Sequence, residues 1–578
     1  MPTPKFTHNA CTALLTIALL SAGCDRNKVA PEDTTTATPL EQPSVLPAKK
    51  SLHGGVVPGS LSPQDLGPEA PALYFVTGLK GYTEPCGCTA DILLGGIDRV
   101  TQYVIDAKAL HPGALMIDTG DMLFEHAKLD AHLEPQERAK ADVLTAAHRA
   151  MGTAFTVPGE RDFALGTAFY LEKMAQATLP IVAANLTIEG QGFEATHVAK
   201  LGELKLGLIG AVDPMHFEGI EGVATTPHAP AIERALATLK AAGVGATVLV
   251  FHGELGPAKA LLEQFPALDF VIVGHGPRET DQVDQAGQGF TLEAYDQGRY
   301  MGVLKLYAKD GKRPFVNARA GGKTELETID RQIAHVQESI ARLPAAEGGS
   351  ESPLAARLRE RLGELEARKS AIDGAAIELP EEASAFLYRP VPMEPGYGLE
   401  PQVKAAREQF NRSLQELSTQ IERDPLPIIE GQPFFVGTQQ CQMCHSAAHD
   451  FWQTTHHSKA VATLEARDKA FDQNCIGCHV VGWEQPGGSV LNKLEYNFEI
   501  NGTTVVKDLK NVGCESCHGP GSEHRMAPIN AQGTPQHIVR KPGVEQCTSC
   551  HVPEHSPTFD FDSYVKRITG DGHRLRVD

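Results

Sequence analysis

Eight of the twelve cysteines fall into four copies of one pattern, in which two cysteines three positions apart are followed directly by a histidine. Two thiols spaced this way can both bond to the vinyl groups of a haem while the next imidazole binds the iron, so the pattern is typical of c-type haem attachment. A structural zinc site is the alternative, but zinc needs two cysteine pairs per ion and no histidine after each. The sequence therefore predicts four covalent haems, at Cys441, Cys444 and His445, at Cys475, Cys478 and His479, at Cys514, Cys517 and His518, and at Cys547, Cys550 and His551.

The surroundings of these motifs include Val436-Gly-Thr-Gln-Gln-Cys441 and Cys514-Glu-Ser-Cys517-His518-Gly-Pro-Gly521. They resemble the tetrahaem cytochrome family typified by the electron acceptor of ammonia oxidation. The resemblance implies that most irons take a second histidine, and the matching positions are His457, His524 and, near the carboxyl end, His573. Two histidines on one iron suit electron transfer, whereas an open sixth position permits ligand chemistry. Whether one haem stays five-coordinate is open from the sequence.

The amino-terminal segment predicts export. Residues 10–22 form an apolar run of about 13 residues, which suits a secretory signal and is too short to span a bilayer. The run ends in Leu20-Ser21-Ala22-Gly23-Cys24, which resembles a bacterial lipoprotein signal and implies a lipid on Cys24. Ordinary cleavage that leaves a soluble protein is the alternative. Both predict the periplasmic side of the bacterial envelope, and residues 24–70, rich in Pro, Thr and Ser, predict a flexible tether.

Residues 71–325 alternate short apolar runs with helical stretches, which predicts an α/β domain. Seven runs read as strands, and polar residues follow four of them. Strand carboxyl ends are where open α/β sheets place their sites. The runs are 72–76, 114–117, 154–157, 181–183, 205–209, 247–251 and 270–273, and the polar residues are Asp121, Glu160, His252 and His275.

This segment is similar to the metallophosphatase domain of periplasmic 5′-nucleotidases and related thiosulfate-oxidation hydrolases. The similarity rests on Asp118-Thr-Gly-Asp121, Ala184-Asn185-Leu186, His252-Gly253 and Gly274-His275-Gly276. It implies a metallophosphatase-like sandwich with two metal ions that position a phosphoester and activate water.

Several of the ligands implied by that similarity are replaced. The family's first Asp-x-His falls on Gly78 and Lys80, its Asn-His pair on Glu160 and Arg161, and its last histidine on Pro277. Positive side chains in place of ligands oppose a pair of cations. We therefore expect the two-metal hydrolase to be lost. Either one divalent metal remains, at Asp121, Glu160, His252 and His275, or the fold is metal-free.

The loop after the first strand carries Glu84-Pro85-Cys86-Gly87-Cys88. It resembles a subgroup of exported nucleotidase-like proteins that have a thiol or selenol in this loop. Cys86 and Cys88 can close a small, strained disulfide, and strain raises the reduction potential, which predicts a labile two-electron couple. A structural pair or a set of soft-metal ligands is the alternative.

Residues 326–430 predict a helical spacer, because apolar residues recur every three or four positions from Ile329 to Leu343 and again from Leu354 to Leu365. A Gly-Gly-Ser break between the two series predicts an antiparallel helical hairpin, which could serve as a spacer or a dimer surface. Another helix is expected near 403–421. Residues 431–578 complete the chain as a mainly α or irregular multihaem domain.

The chain has 578 residues, a hydrophobic fraction of 42% and a net charge of −20, which indicates several soluble domains and disfavours nucleic acid as a partner. These features predict an exported electron-transfer protein that oxidises a sulfur or thiol substrate at Cys86 and Cys88. Its partner would be another cytochrome or a quinone-linked complex, and a lipid anchor would hold it at the membrane. Two alternatives are an electron relay whose α/β domain docks a partner, and a metal-dependent phosphoesterase that carries haems.

Overall fold

The computed structural model describes a large part of the chain from Ala70 onward. Cys24, the tether up to residue 69, Cys88 and the side chain of Cys86 lie outside the described residues. No helix in the described ranges has both the length and the apolar character needed to cross a membrane. The described residues are 70, 72–86, 94–278, 283–309, 313–318, 329–334, 336–337, 358–359, 361–365, 379, 381–421, 423–500, 502–526, 538–552, 555–556, 559–570 and 572–573.

The amino-terminal domain consists of two main sheets with helices packed on them. Its strands are β1 (Ala72–Val76), β2 (Pro85–Cys86), β3 (Leu94–Gly95), β4 (Leu115–Asp118), β5 (Leu186–Ile188), β6 (Gln191–Gly192), β7 (Thr196–Leu201), β8 (Leu204–Val212), β9 (Val223–Thr225), β10 (Ala246–His252), β11 (Phe270–Val273), β12 (Asp284–Ala286), β13 (Gly289–Leu292), β14 (Tyr300–Tyr307), β15 (Val316–Asn317) and β16 (Ala385–Pro392). Its helices are α1 (Ile97–Leu110), α2 (Glu134–Met151), α3 (Thr167–Ala177), α4 (His228–Ala242), α5 (Leu255–Gln264) and α6 (Pro401–Thr419).

The two sheets have the orders β15-β16-β14-β1-β4 and β12-β13-β11-β10-β8-β7. Strands β8, β10 and β11 run parallel, and every residue of β10 and β11 is buried. Continuous apolar runs are expected where a parallel strand is covered on both faces. One apolar cluster spans residues of both sheets, from Leu73 and Phe75 to Val248 and Phe270. The prediction of an α/β sandwich is confirmed.

Two of the seven predicted strands form only isolated bridges. Thr156 bridges Asp118 on one side and Ile181 on the other, so these runs extend the sheet by single residues. The chain leaves the sheet directly after Val157, where Gly159 begins the turn that carries Glu160, and Pro180 has no N–H to donate to a ladder. The turn at Gly159 therefore limits the first run, and Pro180 limits the second.

The predicted helical spacer contains a strand of the first sheet, which corrects the boundary drawn from the sequence. Strand β16 pairs with β14 over eight residues, and α6 packs against α1 and α2. The described helical residues between 329 and 365 bury Ile329, Val336 and Leu365 together, and the expected hairpin stays a prediction. Strand β16 was not predicted from the sequence because a helical segment separates it from the other strands of its sheet.

The haem region is helical and irregular, as predicted, but it also contains a β-hairpin. Strands β17 and β18 pair antiparallel around an Asn-Gly turn sequence, which is a strong hairpin signal. Its apolar clusters are small, with five and three buried residues. Its elements are α7 (Thr438–Gln442), α8 (Ser446–Gln453), α9 (Ala460–Glu465), α10 (Gln473–Ile476), β17 (Glu495–Ile500), β18 (Thr503–Asp508), α11 (Cys514–His518), α12 (Ser522–Met526), α13 (Val544–Thr548) and α14 (Phe561–Ile568).

Candidate functional site

Four side chains predicted from the strand ends come together in the α/β domain, and we call them the Asp121 cluster: Asp121, Glu160, His252 and His275. Their potential ligand atoms all lie within 4.8 Å of one another. His252 is the last residue of β10, and Asp121 and His275 follow β4 and β11. The carboxyl ends of the strands therefore meet at one edge, as the sequence predicts.

Hydrogen bonds inside the Asp121 cluster fix the orientation of His252. Its Nδ1 lies 2.9 Å from the carbonyl oxygen of Thr119, to which it donates, and its Nε2 lies 2.9 Å from Glu160 Oε2. Burial alone would lower the pKa of His252, but Asp121 and Glu160 raise it to about 9. The ring is therefore a buried cation at neutral pH, held between two carboxylates.

Arg161 adds a second positive charge to the Asp121 cluster. Its Nε lies 3.2 Å from Asp121 Oδ2 and 3.4 Å from Glu160 Oε1. Two carboxylates thus face one guanidinium and one imidazolium, which balances the charge without a metal ion. Lys80, also expected near this position, instead has its ion pair with Asp296, at 2.5 Å.

The loops that carry Asp121 and Glu160 pack closely against each other through their backbones. The buried carboxylate of Asp162 accepts hydrogen bonds from the backbone N–H groups of Asp121, Met122, Leu123 and Gly159. Burial and the neighbouring Asp121 raise the pKa of Asp162 to about 7. A Cβ atom on Gly159 would lie 2.2 Å from Asp121 Oδ1, so only glycine fits at this position.

A buried polar contact joins the α/β domain to the haem region, and we call it the junction: Glu84, Gln136, Glu137, Lys469, Asp472 and Gln473. Asp472 caps α10, the short helix that carries Cys475, by accepting a hydrogen bond from the backbone N–H of Asn474. Gln136 of α2 donates to Asp472 Oδ1 at 2.9 Å. The helix that carries the second predicted attachment motif therefore docks directly on the α/β domain.

Lys469 lies at the centre of the junction. It is only 7% exposed, and its Nζ lies 3.0 Å from Asp472 Oδ2 and 3.6 Å from Glu84 Oε1. Glu84 is also bound by Arg407 and by Asn411 of α6. Burial would raise the pKa of Glu84, but Lys469 and Arg407 hold it below its usual value. The segment that leads into Cys86 is therefore held by charges from the haem region and from α6.

The proximal histidines of three attachment motifs are oriented for iron binding. Nδ1 of His479 lies 2.6 Å from the carbonyl oxygen of Ala460, and Nδ1 of His518 lies 2.7 Å from that of Val539. Nδ1 of His551 lies 3.0 Å from Ser556 Oγ. A metal-bound histidine typically uses its second nitrogen in this way, so Nε2 of each ring is left for the iron.

Two proximal histidines face a second imidazole across a gap. The ring centroids of His445 and His524 are 6.1 Å apart with an interplanar angle of 24°, and those of His551 and His457 are 6.3 Å apart. Because an imidazole nitrogen lies about 2 Å from a metal it binds, two rings on opposite sides of one ion have centroids about 6 Å apart. The two separations match the spacing expected for an iron held between each pair of rings.

The third predicted ligand is His573. Burial lowers the pKa of His573, and the nearby His518 and His445 lower it further. Its Nδ1 is buried and has no hydrogen-bond partner among the described residues. His479 differs, because no ring contact to it occurs within the described part of the chain.

The attachment cysteines of different motifs also lie close together. Each free thiol stands in for the thioether sulfur of the haem-bearing protein. Cys441 and Cys514 are hydrogen-bonded to each other, and so are Cys478 and Cys550. The first attachment site therefore adjoins the third, and the second adjoins the fourth.

Several residues of these sites were missed by sequence reasoning. The junction residues carry no motif, and Asp472 would have been visible only as a helix cap before Cys475. His216 lies in a 3-10 helix after β8 and stacks on His275, yet an isolated histidine after a strand gives no signal of its own. Their roles depend on contacts between residues far apart in the chain.

Solved structures similar to this chain include phosphoesterases. A 5′-nucleotidase precursor from Thermus thermophilus is 13% identical, with 76% of this chain and 88% of that chain covered and a TM-score of 0.41. The Thermus thermophilus sulfate thiohydrolase SoxB in complex with glycerol is 17% identical, with 43% and 56% covered and a TM-score of 0.38. The calcineurin-like phosphoesterase YfkN from Bacillus subtilis is 17% identical, with 42% and 87% covered and a TM-score of 0.34.

The haem region has relatives by sequence. Residues 440–519 match the family described as cytochrome c554 and c-prime. Cytochrome c-554 of Nitrosomonas europaea is 31% identical over 182 residues, an alignment that covers 23% of this chain and 73% of the relative. This relationship implies covalently bound haem iron and electron transfer, in agreement with the attachment motifs and the facing histidines. The chain is thus a member of the cytochrome c554 family that carries an additional α/β domain.

Proposed function

We propose that this protein is an exported tetrahaem cytochrome that oxidises a thiol or other reduced sulfur compound at Cys86 and Cys88 and passes the electrons to the second haem. The observation that carries the proposal is the junction. Glu84, two residues before Cys86, is paired with Lys469, and Lys469 is paired with Asp472, the cap of the helix that bears Cys475.

The burial of the junction supports a fixed electron path. Gln136, Asp472 and Lys469 are 2%, 4% and 7% exposed, and each is hydrogen-bonded or ion-paired. Buried ion pairs require accurate geometry, because a misplaced partner leaves an uncompensated charge. The loop leading into Cys86 and the attachment helix are therefore held at a constant separation.

We infer one haem for each of the four attachment motifs, with the irons of the first and fourth ligated by His445 with His524 and by His551 with His457. His573 is assigned to His518. No second histidine is assigned to His479, whose pKa is lowered by burial and by the nearby His555. The close thiols of the first and third motifs, and of the second and fourth, support electron exchange between neighbouring haems.

The proposed reaction is a two-electron oxidation of two substrate thiolates. A substrate thiolate attacks the Cys86–Cys88 disulfide and forms a mixed disulfide, and a second substrate thiolate releases the substrate disulfide and the protein dithiol. Re-forming the protein disulfide releases two protons and two electrons. Haems, when bound, accept these electrons one at a time at ferric iron. Another cytochrome or a quinone-linked complex then reoxidises them.

The Asp121 cluster has a structural role in this proposal. Arg161 and His252 already neutralise Asp121 and Glu160, so a divalent cation there would have to displace the guanidinium and the proton of His252. Phosphoester hydrolysis is therefore disfavoured. Export through the amino-terminal signal and a lipid on Cys24 complete the proposal and rest on the sequence.

The proposal is tested by rapid-mixing spectroscopy of haem reduction. The oxidised protein is mixed with dithiothreitol, cysteine or thiosulfate, and the wild type is compared with Cys86→Ser, Cys88→Ser and the matched loop variant Thr89→Ala. Both cysteine variants should keep four haems by intact mass and lose at least 100-fold in the rate of haem reduction, whereas T89A should behave as the wild type. Unchanged rates in both cysteine variants would instead favour an electron relay with a docked partner.

A further inference from the structure

His216 stacks on His275, a member of the Asp121 cluster. The rings of His216 and His275 have centroids 3.9 Å apart and an interplanar angle of 21°. His216 lies in the 3-10 helix Pro214–Phe217 after β8, and His275 lies in the loop after β11. The parallel strands β8, β10 and β11 bring the two loops to the same sheet edge.

One nitrogen of each ring is buried without a hydrogen bond of good geometry. His216 Nε2 and His275 Nδ1 make no hydrogen bond with any described residue. His275 Nδ1 lies 3.4 Å from Glu160 Oε2, beyond a good hydrogen bond. Buried polar atoms normally find a partner, so the unpaired Nε2 of His216, in a ring that contacts His275, indicates a ligand that both imidazoles can bind.

Glu254 supplies a carboxylate beside the two histidines. Glu254 directly precedes α5, and its exposed side chain neither caps this helix nor forms an ion pair with the described residues. One ligand atom from each of His216, Glu254 and His275 lies within 4.8 Å of the other two. Three such atoms can converge on one ion after small rotations of the side chains.

We propose that His216, Glu254 and His275 form a binding site for one divalent transition-metal ion of the zinc type at the rim of the Asp121 cluster. Two imidazoles and one carboxylate are the ligands of many zinc sites that keep an open position for water or a small ligand. Imidazole ligands also favour zinc, copper or nickel over magnesium or calcium, which prefer oxygen. The site therefore selects a borderline transition metal.

This rim site differs from the Asp121 cluster in the state of its donors. Asp121 and Glu160 are paired with Arg161, and His252 is hydrogen-bonded through both nitrogens. In the rim site, His216 Nε2 and the carboxylate of Glu254 are free of such partners among the described residues. An incoming ion at these two groups therefore displaces no internal ion pair. Because His275 belongs to both groups, occupancy of the rim site also fixes this ring beside Glu160.

The test is equilibrium dialysis of the full-length haem-loaded protein against Zn²⁺ after treatment with a chelator, with zinc and iron counted by mass spectrometry. The iron count normalises zinc to protein. The variants are His216→Gln and Glu254→Gln, with Glu263→Gln on the exposed face of α5 as the matched control. Asp121→Asn tests the inner cluster, and circular dichroism and the haem spectrum verify that each variant folds.

We expect one zinc ion per chain, a dissociation constant raised at least tenfold in H216Q and in E254Q, and values within threefold of the wild type in E263Q and D121N. Failure of the wild type to bind zinc would overturn the proposal. So would wild-type affinity in both H216Q and E254Q, or loss of the ion in D121N alone, because the ion would then be held by the Asp121 cluster.

Discussion

In the α/β domain the functional side chains lie at the ends of strands buried in one large apolar core, whereas the haem region buries only small clusters around its attachment motifs. The first region positions its site by packing and close backbone contact. In the second, Cys441, Cys475, Cys514 and Cys547 are only partly buried. We therefore expect the α/β domain to fold on its own core and the haem region to depend on its cofactors.

The largest expected effect comes from preventing haem attachment. In a host that lacks the attachment machinery, we expect residues 438–570 to lose protection from limited proteolysis completely, because a cofactor that binds only the folded state contributes its binding energy to stability. The α/β core from Ala72 to Tyr307 should remain protected. Mass spectrometry of the fragments makes the measurement, with the haem-loaded protein as the control. Equal protection of both regions in the haem-free chain would contradict the comparison.

A second variant disrupts the Asp121 cluster of the α/β domain. Gly159→Ala places a methyl group 2.2 Å from Asp121 Oδ1 and 2.7 Å from His252 Cε1, and should lower the free energy of unfolding of the α/β domain by about 4 kcal/mol. Denaturant unfolding measures the change. Gly192→Ala is the matched control, because no atom lies within 4 Å of its added Cβ. The haem spectrum should stay unchanged, and a loss of haem would show that the two regions are not independent.

The junction couples the two regions through Asp472. Burial would raise the pKa of Asp472, but Lys469 and Lys140 hold it below its usual value. Asp472→Asn leaves Lys469 with a weakened partner and should cost about 3 kcal/mol at pH 7. Denaturant unfolding followed by haem absorbance measures this loss, and Asp468→Asn, at an exposed position, is the control.

The ion pair between Asp472 and Lys469 also predicts how the stability difference between the wild type and D472N changes with pH. A carboxyl group with a lowered pKa in the folded state contributes stability above its unfolded value of about 3.9, and this contribution disappears as the pH falls through the folded value. The difference in stability between the wild type and D472N should therefore be constant above about pH 5 and shrink below about pH 4. A difference independent of pH would mean that Asp472 acts through packing alone.

The smallest stability loss is expected for a hydrogen-bond variant inside the haem region. The indole N–H of Trp452 donates to the carbonyl oxygen of Val512 at 2.8 Å and ties α8 to the segment before Cys514. Trp452→Phe should lower stability by about 1 kcal/mol in the haem-loaded protein, because one hydrogen bond is lost while the haems still fill the core. Thermal unfolding followed at the haem band measures it. A loss above about 3 kcal/mol would show that side chains contribute more to this core than we infer.

Predictability from the sequence also differs between the two regions. The haem-binding pattern is local, so Cys475, Cys478 and His479 are identifiable within five residues. The Asp121 cluster was predicted because polar residues follow buried strands. Strand β16 and the junction were not predicted, because each depends on partners far away in the chain, and long-range pairing leaves no local pattern.

The residues that can bond to haem and the polar residues at strand ends are visible in the sequence, because thioether spacing and strand periodicity are properties of neighbouring residues. The folded structure was needed to show that Arg161 compensates Asp121, that His524 lies beside His445, and that Lys469 joins Glu84 to Asp472. These contacts depend on the distances between folded segments. Such distances are fixed by the packing of the whole core.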